Sequence, residues 1–190
     1  MRKLVYYVGV TLDGCIAGPQ GETDIFPVTE ELISWIIAHY PETLPTHIRH
    51  QLDIDDKENR AFDTVVMGRR TFEPALAVPT TSPYAHLHQH VISRTLKLED
   101  AAVNIDRGDP VDLVRRLKRQ PSDKNIWLCG GGSLAGSLLS EIDEIVLKRY
   151  PVVAGEGIRL FASEFDPRRF IAADRHEFAD GTSATQLVRS

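Results

Sequence analysis

Short apolar runs alternate with helical segments along this chain, and that alternation restricts the fold more than any other feature. Leu4–Val10 is rich in β-branched and aromatic residues, the pattern of a central strand buried on both faces. Val28–Tyr40 carries Leu32, Ile33, Trp35, Ile36 and Ile37 at helical spacing, with Thr29 as N-cap and Pro41 closing the helix. Asp63–Met67 reads as a second buried strand, and Gly68-Arg69-Arg70-Thr71 turns it into a short helix stopped near Pro74. The loop-like Pro79–Pro83 leads to a strand at His90–Ser93, and Pro110–Arg119 is amphipathic with Pro110 suited to a first turn. Asn125–Cys129 is a further buried strand, Gly130–Gly132 a sharp turn, Ser133–Ser140 a helix and Ile142–Tyr150 a strand. Phe170–Phe178 and Thr182–Val188 flank Asp180-Gly181, a hairpin signal. The stretch from Glu42 to Arg60 is polar and specifies no element. The expected architecture is a three-layer α/β fold: a mainly parallel central sheet, helices on both faces and a C-terminal antiparallel hairpin.

The 190 residues contain no repeat, linker or low-complexity tract, so one domain spanning 1–190 is expected. A net charge of −5 argues against broad attraction to nucleic acid, so any anion site must be local. No run approaches the roughly 20 apolar residues that cross a bilayer, and Met1–Leu4 enters a strand pattern at once. A cytoplasmic location without membrane attachment is expected. Cys15 and Cys129 lack metal-ligand spacing and read as reduced thiols in buried strand ends. His86, His88 and His90 alternate but have no adjoining ligand, and Asp53, Asp55, Asp56 and Glu58 read as a solvated face; no metal site is expected.

Chemistry concentrates at the strand ends. In open α/β sheets ligands lie beyond the carboxyl ends of strands, where backbone N–H groups are unpaired. Gly130-Gly131-Gly132-Ser133 bares the backbone over three residues, so a pyrophosphate can approach it, with Ser133 capping the helix behind. Gly68-Arg69-Arg70-Thr71 adds two guanidinium groups and a hydroxyl at a second strand end, and Ser93-Arg94 adds another pair at a third. The planar donor fork of arginine suits phosphate, and a ribose 2′-phosphate in particular calls for such a cluster. Each turn alone favours ordinary turns and solvated helix-cap charges; their joint appearance after three strands favours a phosphate-bearing ligand.

Three segments carry a resemblance. Thr11–Gly18, Val66–Glu73 and Trp127–Leu134 resemble, in order and spacing, the landmark motifs of the dihydrofolate reductase superfamily. Their form, with Ile142–Ile145 and Pro151–Gly157, is closest to the reductase domain of riboflavin biosynthesis and its stand-alone relatives, over nearly the whole chain. The resemblance implies a dihydrofolate-reductase-like fold binding NADPH across the strand ends. Gly68, Arg69, Arg70, Thr71, Ser93 and Arg94 would hold the 2′-phosphate and pyrophosphate. Gly130, Gly131, Gly132, Ser133 and Leu134 would hold the pyrophosphate, with Ile16 and Ala17 beside the nicotinamide. The implied activity is hydride transfer to a small pteridine-like, aminopyrimidine or imine substrate. The His-x-Glu and Pro-Cys-x-x-Cys signature of the zinc deaminase is absent, so only the reductase half is present.

Asp13, inside the first landmark, and Glu31, on the first helix, are the candidate catalytic acids. Each also has a plain role, as a turn residue and as a partner of the helix dipole. Trp35 and Phe161 are candidate walls of a substrate pocket, although both suit a core. The alternatives to a dedicated reductase are a non-catalytic NADPH-binding protein and dihydrofolate reduction as a weak side activity. A homodimer is the one protein partner considered, through the sheet edge of the hairpin.

Overall fold

The computed structural model describes residues 1–77 and 81–190, so Pro79 and Thr80 of the expected loop lie outside the described residues. Ten strands and five helices follow in the order β1 Leu4–Val10, β2 Cys15–Ala17, α1 Glu30–His39, α2 Thr46–Gln51, β3 Phe62–Gly68, α3 Arg69–Phe72, β4 His88–Ile92, β5 Val103–Asp106, α4 Pro110–Arg119, β6 Asn125–Gly130, α5 Gly132–Ser137, β7 Glu144–Arg149, β8 Ile158–Arg159, β9 Phe170–Glu177 and β10 Ser183–Arg189. Eight strands form one sheet in the order β5-β4-β3-β6-β1-β7-β10-β9. All pairs from β5 to β7 are parallel, and the hairpin β9–β10 adds antiparallel to β7. β2 and β8 pair separately as a two-stranded flap.

β1 sits between β6 and β7, as its continuous apolar run demands. Its even residues Leu4, Tyr6 and Val8 pack with Leu113, Val114 and Leu117 of α4 and Leu134 of α5. Its odd residues Val5 and Tyr7 face Phe62, Phe72 and Trp127, and beside this cluster Leu32 and Ile36 of α1 pack with Tyr150 and Phe178. The sheet is therefore covered by α4 and α5 on one side and by α1, α2 and α3 on the other.

Local chemistry sets the helix boundaries. Thr29 accepts a hydrogen bond from the Leu32 amide (3.2 Å), Glu30 and Glu31 sit in the first turn, and Pro41 follows the end of α1. Asp109 caps α4 through the amides of Val111 (2.7 Å) and Asp112 (3.3 Å), with Pro110 at the first position. Two expectations change. Pro74 does not stop the segment after β3, because a 3₁₀ turn, which proline at an early position tolerates, carries it on through Glu73–Ala77. α5 starts one residue early and spans only Gly132–Ser137; its N-cap is Gly131, and Ser133 lies exposed inside the helix instead of capping it.

The stretch from Glu42 to Arg60 contains α2 and a buried polar anchor. Glu42 is 0% exposed and accepts hydrogen bonds from the amides of Arg60 (3.1 Å), Ala61 (2.6 Å) and Phe62 (2.7 Å). It thus fixes the chain as it enters β3. The equally buried Arg49 donates to the carbonyls of Pro41 (2.9 Å), Asp55 (3.2 Å) and Lys57 (2.6 Å). Replacing Glu42 by alanine strands three amides, each costing about 1–3 kcal/mol when buried without a partner. Glu42→Ala is expected to lower unfolding free energy in urea titration by roughly 3 kcal/mol or more; a change under about 1 kcal/mol would show the amides are resolvated.

Candidate active site

The sheet order brings four strand ends side by side. β4, β3, β6 and β1 are neighbours, so the turns after Ile92, Gly68, Gly130 and Val10 line one carboxyl edge. The turns at 68–71 and 130–133 touch. A β-carbon built on Gly68 would lie 3.9 Å from the Gly130 carbonyl oxygen, and those on Gly130 and Gly131 would lie 3.8 and 3.6 Å from Thr71 Oγ1.

The three glycines of the second turn differ in what requires them. Gly130 has φ +136°, a conformation that disfavours side chains. Gly131 has φ −97°, ordinary for any residue, and apart from Thr71 nothing lies near its absent side chain. Gly132 is fixed by the protein itself: a β-carbon there would overlap the Arg159 carbonyl oxygen, and its own carbonyl accepts from the Ala162 amide (3.0 Å). Gly130 is buried, so of the three it is the half-buried Gly131 whose backbone stays open to a ligand.

The arginines also separate. Arg69 is committed, donating to Glu73 (2.6 Å) and to Thr95 Oγ1 (2.7 Å). The exposed side chains of Arg70 and Arg94 have no hydrogen-bond or ion-pair partner among the described residues. Ser93 is buried, and its hydroxyl accepts from the amides of Leu96 (2.9 Å) and Thr95 (3.3 Å), so it shapes the turn that presents Arg94. Leu134 is buried in the core behind the turn, on the α4–α5 side.

The first landmark motif forms the flap. Asp13 receives the Ala154 amide (3.1 Å) on one carboxylate oxygen and the Gly155 amide (2.7 Å) on the other, while Thr11 Oγ1 donates at 2.5 Å. Arg159 donates to the Asp13 carbonyl (2.6 Å), the Leu160 amide to the Gly14 carbonyl (3.0 Å) and the Leu12 amide to the Val152 carbonyl (2.7 Å). The β1–β2 loop is thereby tied to the segment around β8. Ile16, half-buried, packs with the cluster of Tyr6 and Phe161, and Ala17 is buried.

The bond from Thr11, followed by those from the Ala154 and Gly155 amides, holds the Asp13 carboxyl down at about 2. An acid whose native value is depressed favours the folded arrangement above its unfolded value of 3.8, and loses that effect as pH falls through about 2. The Ala154 and Gly155 amide resonances should accordingly titrate in NMR with a midpoint near 2; a midpoint near 3.8 would mean that the contacts do not persist in solution. A carboxyl so strongly ionised is a poor proton donor at neutral pH and a good anchor for the flap.

The other candidates lie apart from one another. Glu31 accepts the Ala179 amide (3.1 Å) and so joins α1 to the loop between β9 and β10. Trp35 is half-buried on the α1 side, stacked on His39 (centroids 4.8 Å) and edge-on to Phe178 (5.9 Å). Phe161 packs edge-on against Tyr6 (5.4 Å) on the α4–α5 side. Trp35 and Phe161 thus occupy opposite faces of the sheet and do not form one pocket wall. A cavity of about 640 Å³, lined by Ile37, Pro41, Lys57, Arg60 and Lys124 among others, opens at the amino ends of β3 and β6, away from the strand-end turns.

Cys15 and Cys129 are free thiols. His86 contacts the Glu42 carbonyl (2.8 Å) and His90 the Asp106 carboxylate (2.8 Å), and Asp53, Asp55, Asp56 and Glu58 are exposed. Sequence reasoning passed over the flap strands β2 and β8, which are too short to show alternation, and Lys148, one of three charged residues in β7.

Among the described residues no helix is long and apolar enough to cross a membrane. Two Bacillus subtilis proteins, YwjB and YyaP, both uncharacterized, are similar in sequence. YwjB is 29% identical over 163 residues (84% of this chain, 83% of that protein), and YyaP 31% over 173 (84% and 80%). Among solved structures, a Shewanella sp. PV-4 protein named for riboflavin biosynthesis superposes with a TM-score of 0.70 at 23% identity, covering 100% of this chain and 99% of that one. A Thermotoga maritima diaminohydroxyphosphoribosylaminopyrimidine deaminase/5-amino-6-(5-phosphoribosylamino)uracil reductase gives 0.65 at 14% identity, covering 100% of this chain and 57% of that one. Residues 2–181 match the RibD C-terminal domain, and with the dihydrofolate-reductase-like sheet and its strand-end turns this chain belongs to the RibD C-terminal domain family.

Proposed function

We propose that this protein is an NADPH-dependent reductase acting on a small pteridine-like, aminopyrimidine or imine substrate. The observation that carries the reading is the contact of the 68–71 turn with the Gly130–Gly131 turn at one carboxyl edge of the sheet, the edge to which Arg70 and the turn after β4 bring exposed guanidinium groups that have no partner among the described residues. The residues present fit the cofactor: a β-carbon at Gly131 would meet only Thr71 Oγ1, and two exposed guanidinium groups without a partner among the described residues suit a 2′-phosphate.

In this reading Arg70 and Arg94 hold the 2′-phosphate, Thr71 and Gly130–Gly131 receive the pyrophosphate, and Ile16 and Ala17 border the nicotinamide. Bound NADPH supplies a hydride to the electrophilic carbon of a C=N or C=O group. The flap anchored by Asp13 shields that carbon from water and fixes its approach. Asp13 is accordingly a positioning residue.

A second reading, binding of NADPH without catalysis, is favoured by one observation. The carboxylates of Asp13 and Glu31 both accept backbone amides, so neither stands free as an acid. One assay separates the two: NADPH oxidation followed at its absorbance maximum with dihydrofolate, the ribosylaminopyrimidine phosphate and simple imines. Turnover with any of them is the expected result. NADPH binding with no turnover across the panel would favour the second reading, and dihydrofolate turnover alone would indicate a folate-type site.

A further inference from the structure

Lys148 is the penultimate residue of β7, and its register partner Gly9 is the penultimate residue of β1. Its side chain lies half-buried on the α1 side, with Nζ 4.3 Å from the centroid of the Tyr7 ring. Among the described residues it makes no hydrogen bond and no ion pair. Every other lysine that is at least half-buried is paired: Lys118 with Asp143 (2.7 Å) and the Glu141 carbonyl (2.6 Å), and Lys124 with Asp123 (3.2 Å).

The groups around Lys148 offer it no negative charge. Tyr7, Tyr150 and Cys129 are its neighbours. Burial pushes the Cys129 thiol up to about 12 and raises Tyr7 and Tyr150 as well, so all three are neutral at pH 7. Burial in turn lowers Lys148 from its ordinary value. An unpaired, partly desolvated cation lowers stability, so the packing of the fold supplies no reason for a lysine here.

Position supplies the explanation. Cys129 leads directly into the Gly130–Gly131 turn, so Lys148 lies at the same carboxyl edge as the proposed cofactor turns, on the aromatic side of the sheet formed by Tyr7, Tyr40, Tyr84 and Trp127. We propose that Lys148 is the specificity-determining cation of the substrate site: it selects a planar heterocycle bearing an anionic oxygen and holds that oxygen beside the cofactor turn. The rings behind Lys148 belong to the core, Tyr7 and Trp127 each being 3% exposed, so what Lys148 adds to the site is its ammonium, which offers the charge-assisted hydrogen bond that such an oxygen accepts. The assignment rests on the reductase reading and deepens it.

The test uses two probes of the same ring, orotate as the anionic pyrimidine and uracil as its neutral counterpart, titrated calorimetrically into the full chain saturated with NADPH. The wild-type protein is expected to bind orotate about tenfold or more tighter than uracil, the ratio of one charge-assisted hydrogen bond. Lys148→Met should abolish that preference and leave uracil and NADPH binding unchanged. It should also raise the melting temperature by about 2–4 °C, because an unpaired buried charge is removed. No preference for orotate in the wild type, no orotate binding, or an unchanged preference in the variant would overturn the proposal, as would a fall in melting temperature, which would make Lys148 a structural residue. The NADPH titration is read first. Failure there overturns the cofactor reading, whereas failure of the orotate arm with NADPH bound overturns only the role of Lys148.

Discussion

Gly132→Ala is expected to lower the melting temperature by roughly 6–12 °C, while Gly131→Val, one residue away and far bulkier, changes it little and removes NADPH binding. The contrast follows from what each absent side chain would meet. At Gly132 the obstacle is backbone, the carbonyl oxygen of Arg159, so the segment after β8 must move and its hydrogen bond from the Ala162 amide weakens. Backbone cannot rotate away as a side chain can, and overpacking of this kind costs roughly 3 kcal/mol. At Gly131 φ is −97° and the nearest atom is Thr71 Oγ1 at 3.6 Å, an ordinary contact. Valine there would stand where the pyrophosphate has to sit, and losing two charge-assisted contacts weakens NADPH by about a hundredfold or more. Thermal denaturation and cofactor titration on the two variants decide it. If Gly131→Val binds NADPH normally, the turn is only a turn.

The second large effect concerns the arginines. Arg70→Ala combined with Arg94→Ala is expected to weaken NADPH about a hundredfold while NADH changes by less than about threefold, because only the 2′-phosphate distinguishes the two. Arg69→Ala should cost much less, since its guanidinium is already bonded to Glu73 and Thr95. Both free arginines are exposed, so the NADPH preference should shrink as salt is raised. Fluorescence titration of both cofactors at two ionic strengths measures it. Equal losses for NADPH and NADH in the double variant would take the arginines away from the 2′-phosphate.

The strands and helices that build the main sheet were readable where the chain repeats one period for long enough. β1, α1 and α4 have runs or stripes that only one element satisfies, and a cap at Thr29, a first-turn Pro110 and a closing Pro41 mark their limits. β2, β5 and β8 were not readable, because two to four residues cannot display alternation and their partners are set by tertiary contact. α2 was hidden for a different reason: the 42–60 stretch is organised by Glu42 and Arg49, charged residues whose burial is satisfied by backbone groups distant in sequence. At the candidate site, residue types alone indicated the three turns. They did not distinguish Gly131 from Gly132 or Arg70 from Arg69, since both distinctions depend on Arg159, Glu73 and Thr95 arriving from elsewhere in the fold. Nor did they separate Trp35 from Phe161, which only the alternation of β1 across the sheet assigns to opposite faces.

The central claim is that the carboxyl edge of this sheet is an NADPH site. Its most direct test is the pair of dissociation constants for NADPH and NADH, measured by calorimetry on the wild-type protein in one buffer of low ionic strength. Two guanidinium groups with no other partner among the described residues predict NADPH tighter by about a hundredfold. Equal affinities for the two cofactors, or no binding of either, would contradict it.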